Sequence, residues 1–131
     1  MKNKISTFLM FRGQAEQAMN FYVSLFENSK IINISRYKKS EAGREGSLRQ
    51  ALFSLNGQDF MCIDSAAEHE FDFTPAISFY VNCESEREIN QLFSRLSEGA
   101  KVYMKLNAYG FSKKFAWLED KFGLSWQLNL E

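Results

Sequence analysis

At 131 residues the chain has the length of one ordinary domain, or of two small halves sharing a core. Lys plus Arg and Asp plus Glu balance at 16 each, so no net charge draws it to nucleic acid or an anionic membrane, and neither is expected as a partner. Hydrophobic residues make up 45%, with 13 Phe, 5 Tyr and 2 Trp, which is enough to fill an interior and also to line a pocket or interface.

Ile5–Phe11 reads as a short apolar strand and Gly13 as its break. Ala15–Phe26 follows, with Ala15, Ala18, Met19, Tyr22, Leu25 and Phe26 at the spacing of an amphipathic helix. Asn28 is a left-handed stop. Lys30–Tyr37 is a strand rich in isoleucine, and the polar, glycine-bearing Lys38–Ser47 reads as a mobile loop of the kind that can cover a cleft. Leu48–Leu55 and Phe60–Asp64 are strands joined by Asn56-Gly57, a hairpin signal. Residues 65–75 form a linker ending in Pro75.

Ala76–Val81 is the next strand. Ser85-Glu-Arg-Glu88 is a capping box that opens a helix with the stripe Ile89, Leu92, Phe93 and Leu96, and Gly99 stops it. Lys101–Leu106 reads as a strand and Asn107–Lys114 as a loop. Phe115–Leu118 and Leu124–Leu130 are strands around the turn Glu119–Gly123. In the last strand Trp126, Leu128 and Leu130 alternate with Ser125, Gln127 and Asn129, giving one apolar face and one amide-bearing face.

Met1–Ser6 lacks the apolar core of a signal peptide, and no apolar run reaches the ~20 residues a membrane helix needs. Cys62 and Cys83 both lie in apolar strand-like runs, which favours buried free thiols over a disulfide and points to a soluble, cytoplasmic protein.

The two halves share one order of elements. Phe8-Leu-Met-Phe11 is matched with Ile77-Ser-Phe-Tyr80, and the apolar spacing of Ala18–Phe26 with that of Ile89–Leu96. The expected organisation is a single domain, 1–131, of two βαβββ modules at about 1–64 and 76–131, joined by 65–75.

This paired unit, with Ala15-Glu-Gln-Ala-Met-Asn-Phe-Tyr-Val-Ser-Leu-Phe26, Leu55-Asn-Gly57, Phe60-Met-Cys-Ile-Asp64 and Trp117-Leu-Glu-Asp-Lys-Phe-Gly-Leu-Ser-Trp-Gln-Leu128, resembles the PhnB-like branch of the vicinal oxygen chelate superfamily. That superfamily includes glyoxalase I, bleomycin-resistance proteins and extradiol dioxygenases. The branch carries the label 3-demethylubiquinone 3-methyltransferase. The resemblance implies an α+β fold in which two βαβββ modules form cupped mixed sheets around a cleft, and a homodimer, in some relatives with modules exchanged between chains. It also implies metal ligands on the first and last strand of each module, near Thr7, Cys62 or Asp64, Ala76 and Gln127. Strand register is open by a residue or two, and a slip of one turns every side chain to the other face. Neither Ala76 nor its neighbours Pro75 and Ile77 offers a donor, and a divalent ion needs at least three, so no metal and no cofactor are expected. His69, the single histidine, reads as a solvated loop residue in the acidic linker. The glycines form no G-x-G-x-x-G cluster, so the residues do not support the methyltransferase label.

Catalytic residues are not identifiable. The candidates for a ligand-binding cleft are Thr7, Phe11, Cys62, Asp64, Ser78, Tyr80, Tyr109, Trp117, Gln127 and Asn129, with Phe111 as a further wall. Gln127 is either a ligand-orienting amide or one satisfied across the strands. Cys62 lacks a base for nucleophilic work, and Glu119-Asp120 reads as a solvated turn pair. The leading reading is a metal-independent module that binds an unknown small molecule. The alternative is a metal-dependent glyoxalase- or dioxygenase-like enzyme on a vicinal-oxygen substrate. A third is sequestration of a drug or toxin, as in bleomycin-resistance proteins.

Overall fold

A computed structural model describes residues 3–131 in two compact units, Met1–His69 and Glu70–Glu131, whose boundary falls inside the 65–75 linker. Met1 and Lys2, the start of the first module as read from the sequence, lie outside the described residues. The first unit holds β1 (Thr7–Phe11), α1 (Ala15–Leu25), β2 (Lys30–Arg36), β3 (Leu48–Leu55) and β4 (Gln58–Asp64). The second holds β5 (Ser78–Cys83), α2 (Glu86–Leu96), β6 (Lys101–Tyr109), β7 (Ser112–Glu119) and β8 (Ser125–Leu130). Each builds a four-stranded mixed sheet of the same order, β1-β4-β3-β2 and β5-β8-β7-β6, with the first and last strands parallel. The protein is therefore α+β, a βαβββ module written twice.

In the first unit one sheet face is apolar and buried. It carries Leu9, Phe11, Ala51, Phe53, Leu55, Phe60 and Cys62. α1 lies on this side and buries Ala15, Ala18, Met19 and Tyr22, as its periodicity dictates. Each large side chain removed from water here contributes about 1.5–3 kcal/mol. Phe53 and Phe60, cross-strand partners, stack with ring centroids 5.3 Å apart. Asn56 and Gly57 both take positive φ, 48° and 85°, the backbone of a type I′ hairpin turn. Asn28 takes positive φ, 54°, but it is not the helix stop: α1 ends at Leu25, Phe26 is already extended, and Asn28 turns the chain into β2.

The 38–47 stretch is knitted rather than loose. Tyr37 N–H bonds Ser47 O at 2.9 Å and Gly46 N–H bonds Tyr37 O at 3.0 Å, while Lys38 N–H bonds the Glu41 carboxylate at 2.6 Å. The Tyr37 ring lies so close to Gly43 that any Cβ there would collide with it. Its hydroxyl donates to Asp64 O at 3.1 Å, which ties the segment to the end of β4.

In the second unit α2 packs against β8, β7 and β5 through Ile89, Leu92 and Leu96. Below it lie Ala116, Leu118, Trp126, Leu128 and Leu130, all buried. Lys114 Nζ reaches up from the same face to Glu86 at 3.1 Å and Asn90 at 2.8 Å on the helix. Half of the capping box forms, with Ser85 Oγ accepting from Glu88 N–H at 3.1 Å, while the Glu88 carboxylate reaches one residue past the N-cap to accept from Glu84 N–H at 2.6 Å.

Three expectations shift. β5 begins at Ser78 rather than Ala76, because Ile77 is held in a turn by its N–H to Thr74 O at 3.4 Å. By its place in the sheet, Tyr80-Val-Asn-Cys83 is therefore the counterpart of Phe8–Phe11: Phe11 pairs with Asp64 at the end of one parallel ladder, and Cys83 with Leu130 at the end of the other. Most of Asn107–Lys114 is strand, since β6 runs on to Tyr109 and β7 starts at Ser112. Register shifts along β6 break the alternation that marks a strand in sequence.

Candidate functional site

Each sheet has a second face that its own helix does not cover, and the two faces differ in chemistry. In the first unit it carries Phe8 and Met10 from β1, Met61 and Ile63 from β4 and Leu52 from β3, an apolar surface with Phe8 half exposed. In the second unit the parallel pairs Ser78–Ser125, Tyr80–Gln127 and Asn82–Asn129 line it, with Phe115 and Trp117 alongside on β7.

The polar side chains of this second face line up in a row made of two hydrogen-bonded groups. Ser78 Oγ and Ser125 Oγ are 2.6 Å apart, and the Trp117 indole N–H donates to Ser125 at 2.9 Å. Gln127 Nε2 donates to Ser78 Oγ at 3.3 Å. At the other end Ser112 Oγ donates to Asn129 Oδ1 at 2.6 Å, and Asn129 Nδ2 points at Asn82 Oδ1 at 3.5 Å. Ser125 and Asn129 are buried, so this network orients the half-buried Gln127 and the exposed Asn82 rather than merely meeting water.

Aromatic rings bound the row. Phe115 takes the edge contacts of Tyr109 at 6.2 Å and Phe111 at 4.9 Å, Tyr109 stacks on Phe111 at 5.8 Å, and Tyr80 leans on Phe115 at 6.4 Å. On the opposite flank Tyr103 packs on Trp117 at 4.8 Å and donates its hydroxyl to Glu119 at 2.9 Å. That bond to a carboxylate, followed by desolvation, raises the Tyr103 pKa above its ordinary value.

Of the sequence candidates, Ser78, Tyr80, Trp117, Gln127 and Asn129 share this face, and Tyr109 joins through Phe115. Thr7, Phe11, Cys62 and Asp64 lie on the helix side of the first sheet, one residue out of step with its open face. Cys62 is buried, and burial, reinforced by the Asp64 charge, pushes its thiol up to about 12. Asp64 spends both oxygens on backbone: Oδ1 accepts from Gly13 and Ala15 at 2.8 and 2.9 Å, and Oδ2 from Leu48 at 3.0 Å. It caps α1 from across the sheet. Glu119-Asp120 is not a solvated pair either. Asp120 is buried and accepts from Phe122 N, Leu124 N and Trp126 Nε1 at 2.8, 3.1 and 2.8 Å. Asn82, Phe115, Tyr103 and Ser112 were not singled out from sequence. Asn82 and Phe115 have a signal, standing two residues from Tyr80 and Trp117 on the same faces.

The family model described as 3-demethylubiquinone-9 3-methyltransferase matches residues 3–129. The chain belongs to this family. It is 56% identical to a solved structure described as a putative 3-demethylubiquinone-9 3-methyltransferase, PhnB protein, from Bacillus cereus, over 98% of this chain and 100% of that one, with TM-score 0.97. Protein PA1353 from Pseudomonas aeruginosa shares the fold at 22% identity and TM-score 0.85, covering 99% of this chain and 98% of that one. So does the fosfomycin resistance protein FosX from Listeria monocytogenes, solved as a point mutant with Mn(II) and 1S,2S-dihydroxypropylphosphonic acid, at 12% identity and TM-score 0.66, covering 98% and 92%. Among curated proteins none matches. The chain is PhnB-like.

The side chains of this PhnB-like protein do not fit the metal that the sequence resemblance implied. Among the described residues no three His, Cys, Asp or Glu come together in a group able to hold an ion. Cys62 is a protonated thiol at neutral pH, Asp64 is engaged by three N–H groups, and Ala76 lies ahead of β5. No helix among the described residues is long and apolar enough to cross a membrane.

Proposed function

We propose that this PhnB-like protein is a metal-independent small-molecule-binding module, and that the open face of β5, β8 and β7 is its ligand surface. The observation that carries this is the pre-oriented neutral row Ser78–Ser125–Gln127 and Asn82–Asn129, set beside exposed aromatic rings on a face that α2 leaves uncovered. Few polar groups, fixed by neighbours and flanked by apolar walls, are what a ligand site requires. In this reading residues 1–131 act as one domain of two modules, about 1–64 and 76–131, in a cytoplasmic homodimer. Supporting the dimer, Ile5 and Ile77 occupy equivalent places ahead of β1 and β5 and are 86% and 77% exposed.

The methyl transfer named in the family description is not part of this reading. Asp64 already occupies the N-terminus of α1, the place after a first strand where a nucleotide-type cofactor would bind. The test is a thermal-shift screen of small molecules with and without Mn, Ni, Zn and Fe, paired with metal analysis after chelator-free purification. A stabilising compound recovered unchanged from metal-free protein is expected. Stoichiometric divalent metal, or turnover dependent on it, would favour the glyoxalase- or dioxygenase-like alternative. Sedimentation at micromolar concentration tests the dimer.

A further inference from the structure

We infer that the ligand of the β5–β8–β7 face is a planar ring without an anionic group, carrying both a hydrogen-bond donor and an acceptor, such as an aromatic amide or an acylphenol. This rests on the binding reading above and narrows it to a chemical class.

The ring requirement comes from the aromatic cluster. Phe115 is buried and holds Phe111 edge-on, while Phe111 and Tyr80 remain 66% and 53% exposed. Phe111 and Tyr109 stack nearly parallel, at 16°, which holds the exposed Phe111 ring in a fixed plane. Exposed, pre-packed rings favour a flat partner by offset or edge contacts.

The donor–acceptor requirement comes from what the polar row leaves unspent. Among the described residues the Tyr80 hydroxyl has no hydrogen-bond partner. The Asn82 amide nitrogen has none either, since Asn82 is engaged only through its oxygen. Gln127 uses its nitrogen on Ser78 and keeps its carbonyl oxygen. The face thus offers an acceptor at Gln127 and donors at Asn82 and Tyr80. Every group bonded to Ser78, Asn82, Ser125, Gln127 and Asn129 is itself neutral. The ionised group on this face is a carboxylate, Glu119 opposite Ser125, so an anionic ligand group would lose its hydration here without gaining a counter-charge.

Side-chain NMR titration of the full chain with benzamide, benzoate and cyclohexanecarboxamide tests the class. Benzamide is expected to shift the amide resonances of Asn82, Gln127 and Asn129 and the Trp117 indole. The other two should bind at least about fivefold more weakly. Phe111→Ala and Asn82→Ala, both at exposed positions, should each weaken benzamide by roughly three- to tenfold with an unchanged spectrum elsewhere. Benzoate or cyclohexanecarboxamide binding this face as tightly as benzamide would overturn the class and leave the face as the ligand surface. Shifts confined to other residues, or no shift with any of the three or with a mixed aliphatic and anionic fragment set, would overturn both.

Discussion

The two modules have one topology and solve two local problems differently. α2 is capped by its own sequence, through Ser85 and Glu88. α1 begins at Gln14, which makes no side-chain cap bond, and takes its acceptor from Asp64 at the far end of β4. The corresponding end of β8 is Leu130, an apolar residue under a helix that needs no such help. The open faces differ as sharply, with Met61 and Ile63 of β4 standing where β8 has Gln127 and Asn129. A repeated fold therefore preserves backbone pairing and the helix-side core. It leaves caps and open faces free to diverge, because neither decides which strands pair.

Removing the long-range cap should have the largest effect. Asp64→Ala strips the acceptor from three N–H groups, two at the helix start and one at the entry of β3, and is expected to cost about 3–5 kcal/mol in urea unfolding. Ser85→Ala in the other module should cost only about 1 kcal/mol. Equal losses would mean that the two caps are equivalent and the contrast is wrong.

Asp120→Asn comes next, at about 2–3 kcal/mol, because one carboxylate holds both the β7–β8 turn and the Trp126 indole. Unchanged Trp fluorescence and stability would dismiss that role. Exchanging the open-face residues, Gln127→Met with Met61→Gln, should leave stability within about 1 kcal/mol while abolishing any ligand-induced thermal shift. Retention of the shift would place the ligand elsewhere.

The thiols are where the modules agree. Cys62 and Cys83 both face a helix, and burial pushes both up to about 12, with Asp64 and Glu88 charges respectively reinforcing it. Neither should react with a disulfide reagent at pH 8 until the protein unfolds. Their folded pKa lies above the ordinary value of 9.0, so the stability they contribute is complete below pH 9 and is lost as pH rises from there toward 12. Urea midpoints that stay flat between pH 8 and 10.5 would contradict this.

Glu16→Gln should do least. The Arg36 bond holds the Glu16 carboxyl below its usual range, so the pair's contribution is present above pH 4.5 and fades as pH falls through the lowered pKa. Both side chains are more than two-fifths exposed, and the expected change in urea midpoint at pH 7 is within scatter.

The sequence by itself determined the repeat, the helices and most strands, because apolar periodicity and capping chemistry are local. The alternation Trp126, Leu128, Leu130 against Ser125, Gln127, Asn129 settled both faces of β8, and the Asn56-Gly57 pair settled its hairpin. Candidates in the second module consequently gathered on one surface. In the first module Phe60-Met-Cys-Ile-Asp64 has large apolar side chains at consecutive positions, so its pattern does not distinguish the helix side from the open side. Only sheet pairing shows that Cys62 and Asp64 turn toward α1. Tertiary structure also decided the work of the two aspartates. Asp64 meets its partners 16 to 51 residues away, and the buried place of Asp120 exists only once Trp126 packs beneath α2. A carboxylate's role is set by which N–H groups the fold brings to it: for Asp64 those come from distant elements, whereas the partners of Asp120 stand two, four and six residues on across the β7–β8 turn and only its burial is long-range.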